Sequence, residues 1–279
     1  MDLPFTREEI ARFHESTVTS QDRCIDPQTW KDLDLAGYSE LLAPKTSIFG
    51  QQVLHRRLKL GMPDGSQTEN HLPYRQLLRD PVLSGQLEQA IAPLRQAETE
   101  IGGALFVHST TKMPPWLRYT GLFPVAIFLM VAALKLSLLW MISIAIALFI
   151  VLYVQGRWDE EIGETRGLFE TIQLLLNVAR SLGLKGRANP HALLHEFVGL
   201  LPQVQKIHGK FTRAPLASAI PGVAIYADWF LLSNIRQHFK SRRKLEENIT
   251  LLQRCYELTV NLEADLALAR HLCNQSQIC

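Results

Sequence analysis

The chain has 279 residues, 47% of them hydrophobic and 20% charged, and its 29 Lys and Arg face 27 Asp and Glu for a net charge of +2. So even a balance excludes a global field that would demand a polyanionic partner. Four cysteines (Cys24, Cys255, Cys273 and Cys279) are scattered without CxxC spacing, which excludes a disulfide framework and a zinc site and reads as reduced cytosolic thiols.

Helical signals dominate, and β-alternating runs bounded by turn dipeptides are almost missing, so the expected fold class is mostly α. Thr6-Arg-Glu-Glu9 has the capping-box pattern and predicts a short helix through Glu15, an appended arm. Asp26 to Leu35 is dense in capping residues, with Trp30, Leu33 and Leu35 able to dock on a core. Thr46 to Leu58 reads as a capped helix with Ile48, Leu54 and Leu58 near one face; Gly50 in its first turn predicts close approach of another backbone, because Gly costs about 1 kcal/mol against Ala there. A polar loop from Gly61 to Asn70 ends it. Tyr74 to Leu78 is a further helix up to the Asp80-Pro81 break, and Leu83 to Ala97 carries Leu87, Ile91 and Leu94 on one stripe.

Phe123 to Val154 holds no acidic residue and one charge, Lys135. A bilayer core is about 30 Å thick and needs roughly 20 apolar helical residues, whereas this stretch would make a helix of roughly 48 Å. It reads either as two compact helices turning near Leu134–Ser137 or as one tilted span with an interfacial remainder. The hairpin is preferred, because a lysine inside a single span costs about 2.5–3.5 kcal/mol. Lys112, Arg118, Arg157 and Arg166 flank the stretch, which places both soluble parts in the cytoplasm, and Trp116, Tyr119 and Trp158 sit where interfacial aromatics anchor a span. The polar Met1 region is not a signal peptide.

Arg157 to Glu164 is a charged juxtamembrane stretch, and Arg166 to Leu184 an amphipathic helix stopped by Gly186 and Pro190. A second helix uses Leu193, Leu194, Phe197, Val198 and Leu201 and ends at Pro202. Ala214 to Leu232 is apolar, but Asp228, Pro215 and Pro221 argue for a buried helix rather than a span. From Leu245 through Leu266 a stripe continues to about His271.

TWKDLDL at 29–35, PKTSIFGQQVLHRRL at 44–58 and LPYRQLLRDPVL at 72–83 together resemble the start of the core domain of MutS-like mismatch-repair proteins. Thr46, Gly50 with Leu54, Arg75 and Asp80-Pro81 stand where that family has a Thr-x-x-Gly-x-x-x-Leu helix, an arginine helix and its acidic-Pro closure. The likeness is greatest to the MutS-related branch that lacks the mismatch-reading domain and carries a membrane hairpin inside the core; IYADWFLLSNIRQHF (225–239) is similar to its lever helix. The resemblance implies an arm at 1–24, a first core part at 25–115, a transmembrane hairpin at 116–156 (helices about 118–134 and 137–154), a second core part with lever helices at 157–272, and a tail at 273–279. No G-x-x-x-x-G-K-[ST] phosphate loop occurs; the family's ATPase follows the levers, about where this chain stops. The expectation is therefore no cofactor in this chain, with ATP and Mg bound only by a separate ATPase part, as in a truncation, a split gene or a frameshift.

His191 and His195 lie four apart without a third ligand and read as ordinary helix histidines. Arg236, Lys240, Arg242, Arg243 and Lys244, with His238 among them, form a basic cluster followed by Glu246 and Glu247. It reads as contacts to DNA phosphates, as attraction to anionic lipid, or as a solvated face partly paired at i,i+4. The expectation is a non-catalytic, membrane-tethered core and lever part of a MutS-like protein at the inner or plasma membrane. Its expected partners are a MutS-like ATPase domain on another chain, DNA, the bilayer and a second copy of itself. The alternatives are a membrane-anchored helical scaffold with no nucleic-acid role and, less favoured, a small transporter or channel.

Overall fold

A computed structural model describes residues 5–19, 24–60, 73–107, 114–115, 139–211 and 233–276. Among these, 87% are helical and no strand occurs, as the missing β patterns predict. The first arm of the expected hairpin, its turn with Lys135, the flanking Lys112, Arg118, Trp116 and Tyr119, the loop 61–70 and the apolar segment 214–232 lie outside the described residues. The chain divides into two compact units. Unit 1 comprises residues 1–108, 170–210 and 249–279, and unit 2 residues 109–169 and 211–248.

Unit 1 begins with α1 (Arg7–Thr17), α2 (Pro27–Asp32), α3 (Leu35–Leu42) and α4 (Ile48–Leu60). The capping box closes as predicted: Glu9 N–H donates to Thr6 Oγ1 at 3.2 Å, and Thr6 N–H donates to the Glu9 carboxylate at 2.8 Å. α1 is not an appendage, because Ile10 and Phe13 are buried and the helix packs on α4. α5 (Pro73–Arg79) leads to α6 (Pro81–Ile91), where Asp80 accepts Leu83 N–H at 2.9 Å and Pro81 occupies the first turn, the position at which its missing donor is harmless. A 3₁₀ turn (Ala92–Gln96) and the short α7 (Gly102–Phe106) complete the N-terminal part.

The last helix, α11 (Ile249–Ser276), packs on α3, α4, α5, α6 and α7 and organises the unit. Tyr256 on it is fully buried, with Phe13, Phe49 and Phe106 ring centroids 5.4, 5.6 and 5.8 Å away in tilted and edge-on contacts. Its hydroxyl donates to Gln52 Oε1 at 2.6 Å, and Gln52 Nε2 donates to Glu9 O at 2.8 Å and Glu100 Oε1 at 3.0 Å. A buried amide is thus satisfied from three elements distant in sequence.

α8 (Leu139–Ala188) is one helix of 50 residues that begins in unit 2 and ends in unit 1. The charged stretch expected at 157–164 and the amphipathic helix expected from Arg166 to Leu184 are parts of this one helix. Residues 155–165 contain no proline, and their Glu and Arg favour helix, so nothing stops propagation. Its end forms a helical hairpin with α9 (His195–Phe211), turned by Pro190 and a 3₁₀ turn at Ala192–Leu194. Gly183 and Gly186 permit the closeness: a Cβ on Gly183 would lie 2.9 Å from Phe197 O, and one on Gly186 2.7 Å from Leu194 Cβ. α9 does not end at Pro202, which sits inside it; Val204 and Ile207 beyond it are buried, so packing of the apolar face outweighs the lost backbone bond.

In unit 2 the described elements are the first part of α8 and α10 (Ser233–Glu247). Val151, Ile235 and Phe239 form its buried cluster, with Val154, Trp158 and Ile162 packed against it. Among the described residues no helix is long and apolar enough to cross a membrane. The apolar part of α8, from Leu139 to Val154, would reach about 24 Å, short of a core of about 30 Å.

Candidate anionic-surface site

All five predicted basic residues lie on α10, but they do not share a face. At 3.6 residues per turn, Arg236, Lys240, Arg243 and Lys244 fall on the side opposite the buried Ile235, His238, Phe239 and Leu245. Lys240 and Arg243 are exposed, whereas Arg236 and Lys244 are half-buried. Arg242 falls on the inner side, close enough to His238 to bear on its charge. The outer face also carries Glu247, whose carboxylate accepts from Arg243 Nε at 2.9 Å. The i,i+4 pairing expected for a solvated face is therefore present, and it leaves the face with a surplus of cations.

His238, counted in the basic cluster, is instead 3% exposed, and neither ring nitrogen has a hydrogen-bond partner among the described residues. Trp158 and Phe239 hold it at centroid distances of 6.2 and 5.0 Å. Burial pushes its pKa down and the Arg242 guanidinium adds to this, against an opposing pull from Glu161. It contributes no positive charge near neutrality. Trp158 packs on Phe239 at 5.3 Å, so the tryptophan expected to anchor a span also seats α10 on α8.

The surface of α8 ahead of this contact is apolar. Ile142, Ile146, Phe149, Ile150, Leu152 and Tyr153 are each at least 48% exposed. Val151, on the other side of the helix, is buried with Ile235. Val151, Ile235 and Phe239 share one buried cluster and Phe239 packs on Trp158, so α10 sits beside the part of α8 where the exposed apolar stripe gives way to Trp158.

Elsewhere the site chemistry is sparse. Among the described residues no group of three or more His, Cys, Asp or Glu could hold a metal ion. His191 is occupied locally, its Nδ1 accepting Leu193 N–H at 3.2 Å. Burial pushes the Cys255 thiol up to about 12, which makes it inert as a nucleophile. The sequence reading missed Glu263, a buried carboxylate on α11 that lies in no recognisable local motif. No family model, curated protein or solved structure matches the chain.

Proposed function

We propose that this chain is the membrane-tethered core and lever part of a MutS-like protein, without catalytic groups of its own, whose α10 outer face meets anionic lipid at the bilayer surface. The observation that carries the reading is the order of surfaces along α8: exposed aliphatic and aromatic side chains from Ile142 to Tyr153, then Trp158, then the cations of α10 packed beside it. Apolar, aromatic, basic is the order that a membrane–water boundary selects. The tether is the hairpin of helices at about 118–134 and 137–154, with the soluble parts on the cytoplasmic side.

Two further features support the lever reading. α8 runs from the tether into unit 1 without a break, and the Thr46–Leu54 segment that resembles the MutS core is held by the last helix through Glu263. Nucleotide chemistry then belongs to a MutS-like ATPase domain on another chain, with ATP and Mg bound there. DNA would compete for the same outer cations.

Reconstitution into nanodiscs tests the tether and the lipid contact. Membranes from the native cells should retain the chain through carbonate extraction. Trypsin should cut at Lys240 and Arg243 more slowly in discs containing phosphatidylglycerol than in phosphatidylcholine discs, and high salt should restore cutting. Carbonate release, or equal cutting in both discs, sinks the lipid reading; protection by duplex DNA in neutral discs would move the site to nucleic acid. Co-purification of a phosphate-loop ATPase tests the MutS-like assignment, and recovery of unrelated membrane proteins alone would favour the scaffold.

A further inference from the structure

In unit 1, α1, α2, α3 and α4 enclose a pocket of about 130 Å³. An apolar cavity of about 150 Å³ accommodates a benzene ring, so this pocket holds one six-membered ring with little to spare. Ile10, Ala36, Ala43 and the Trp30 ring supply flat, apolar walls. Gln51 lines it from α4 and is 7% exposed, yet its side-chain amide has no hydrogen-bond partner among the described residues. Its carboxamide oxygen and nitrogen are not sealed from solvent, so they are open to hydrogen bonding with a molecule seated in the pocket.

We propose that this pocket binds a small, neutral, planar molecule with a lactam or carboxamide edge, held by the Gln51 carboxamide. Gln51 offers an N–H donor and a C=O acceptor side by side, and a cyclic or primary amide presents the complementary pair, so two parallel hydrogen bonds form in one plane. The same bidentate logic lets Gln and Asn read the edge of adenine. Trp30 lies 5.1 Å from His55 between centroids, so the ring contacts beside Gln51 are aromatic and suit a flat ligand.

Charge selects against an anion. At the mouth, Arg7 and Glu40 pair at 3.0 Å and cancel each other. Within, burial, Lys59 and His14 lower His55 to about 4, leaving its imidazole neutral at pH 7. The Lys59 ammonium sits 4.2 Å over the Trp30 ring, so a carboxylate or phosphate would have to draw it from that ring or break the Arg7–Glu40 pair. The site is independent of unit 2 and of the bilayer reading.

Saturation-transfer NMR and titration calorimetry on the detergent-solubilised full chain provide the test, with uracil, nicotinamide and benzoate as probes. Uracil or nicotinamide should bind saturably at about 1 mM or below, with benzoate at least tenfold weaker. Gln51→Leu keeps the side-chain bulk and removes the amide; Ala36→Phe fills the pocket from a half-exposed position. Each should weaken amide binding at least tenfold while the melting curve stays cooperative, and Ala36→Phe carries the test alone if Gln51→Leu does not fold. Failure of both neutral amides to bind, binding of benzoate at equal strength, or wild-type affinity in the folded variants would overturn the proposal.

Discussion

The Glu263 carboxylate on α11 closes the start of α4, accepting Ser47 N–H at 2.7 Å and the Ser47 hydroxyl at 2.5 Å across more than two hundred residues of chain. An acidic group at a helix N-terminus is favoured by the macrodipole and by the unpaired amides there. Gly50 lies against the same carboxylate: a Cβ at that position would fall 2.9 Å from Glu263 Cδ. The close approach expected from Gly50 is therefore made by a side chain, not by a backbone. Glu263→Ala should cost about 2–3 kcal/mol by leaving Ser47 N–H buried and unpaired. Gly50→Ala should be destabilising in the wild type and nearly neutral beside Glu263→Ala, and a double-mutant cycle in chemical denaturation that shows simple additivity would refute the contact.

Acid stability should reflect two opposed groups. His55 is lowered from 6.5 to about 4, so its contribution is intact above its ordinary value and is lost as pH falls through 4. Burial raises Glu263, so its contribution is fully present below the ordinary carboxylate range and is lost as pH rises through the raised value. Relative to wild type, His55→Phe should gain melting temperature as pH falls from 6.5 to 4, and Glu263→Gln should lose the decline on the alkaline side. Unchanged pH profiles in both variants would remove these groups from the linkage.

Ion pairs of the same chemical type should differ in worth by burial. Arg57 donates to Asp265 at 2.7 Å, and Asp265 is 6% exposed. Arg57→Met leaves that carboxylate buried without its cation and should cost about 3 kcal/mol. Arg243 pairs with Glu247 at 2.9 Å on an exposed face, and Arg243→Met should change stability by less than about 0.5 kcal/mol. Urea midpoints of the two variants decide the comparison.

Glycine-to-alanine changes on α8 should act in opposite directions. Gly183→Ala places a methyl 2.9 Å from Phe197 O and 3.1 Å from Leu201 Cδ1, and should destabilise by about 1–2 kcal/mol even after its better helix propensity. Gly163→Ala meets nothing within 4 Å and should stabilise by up to about 1 kcal/mol. Thermal melts with equal shifts would count against the tight α8–α9 approach.

Within α10, Lys240→Glu should abolish salt-sensitive protection from trypsin in anionic nanodiscs and leave the melting temperature near wild type. Arg242→Glu should do the reverse, lowering the melting temperature and sparing protection, because Arg242 lies on the inner side near His238. Similar effects of the two substitutions on protection would show that the cluster acts as a single patch.

Local chemistry was legible wherever it is short-range. The Thr6–Glu9 box and the Asp80-Pro81 start of α6 follow from hydrogen bonds within a few residues, and the helical class follows from periodicity. Pro202 misled because a proline's local penalty is fixed, whereas the burial of Val204 and Ile207 that overrides it depends on what α9 packs against.

The basic cluster marks the division most clearly. By itself, the sequence determined that α10 is rich in cations, that the chain is helical, and that it carries one long apolar stretch. Only the tertiary structure decided that His238 is buried and neutral against Trp158, and that Glu263 closes a helix from the far end of the chain. Helix periodicity is written in neighbouring residues, but burial and long-range pairing are set by which surfaces meet. A lone Glu, Gln or His carries no local signal of its partner.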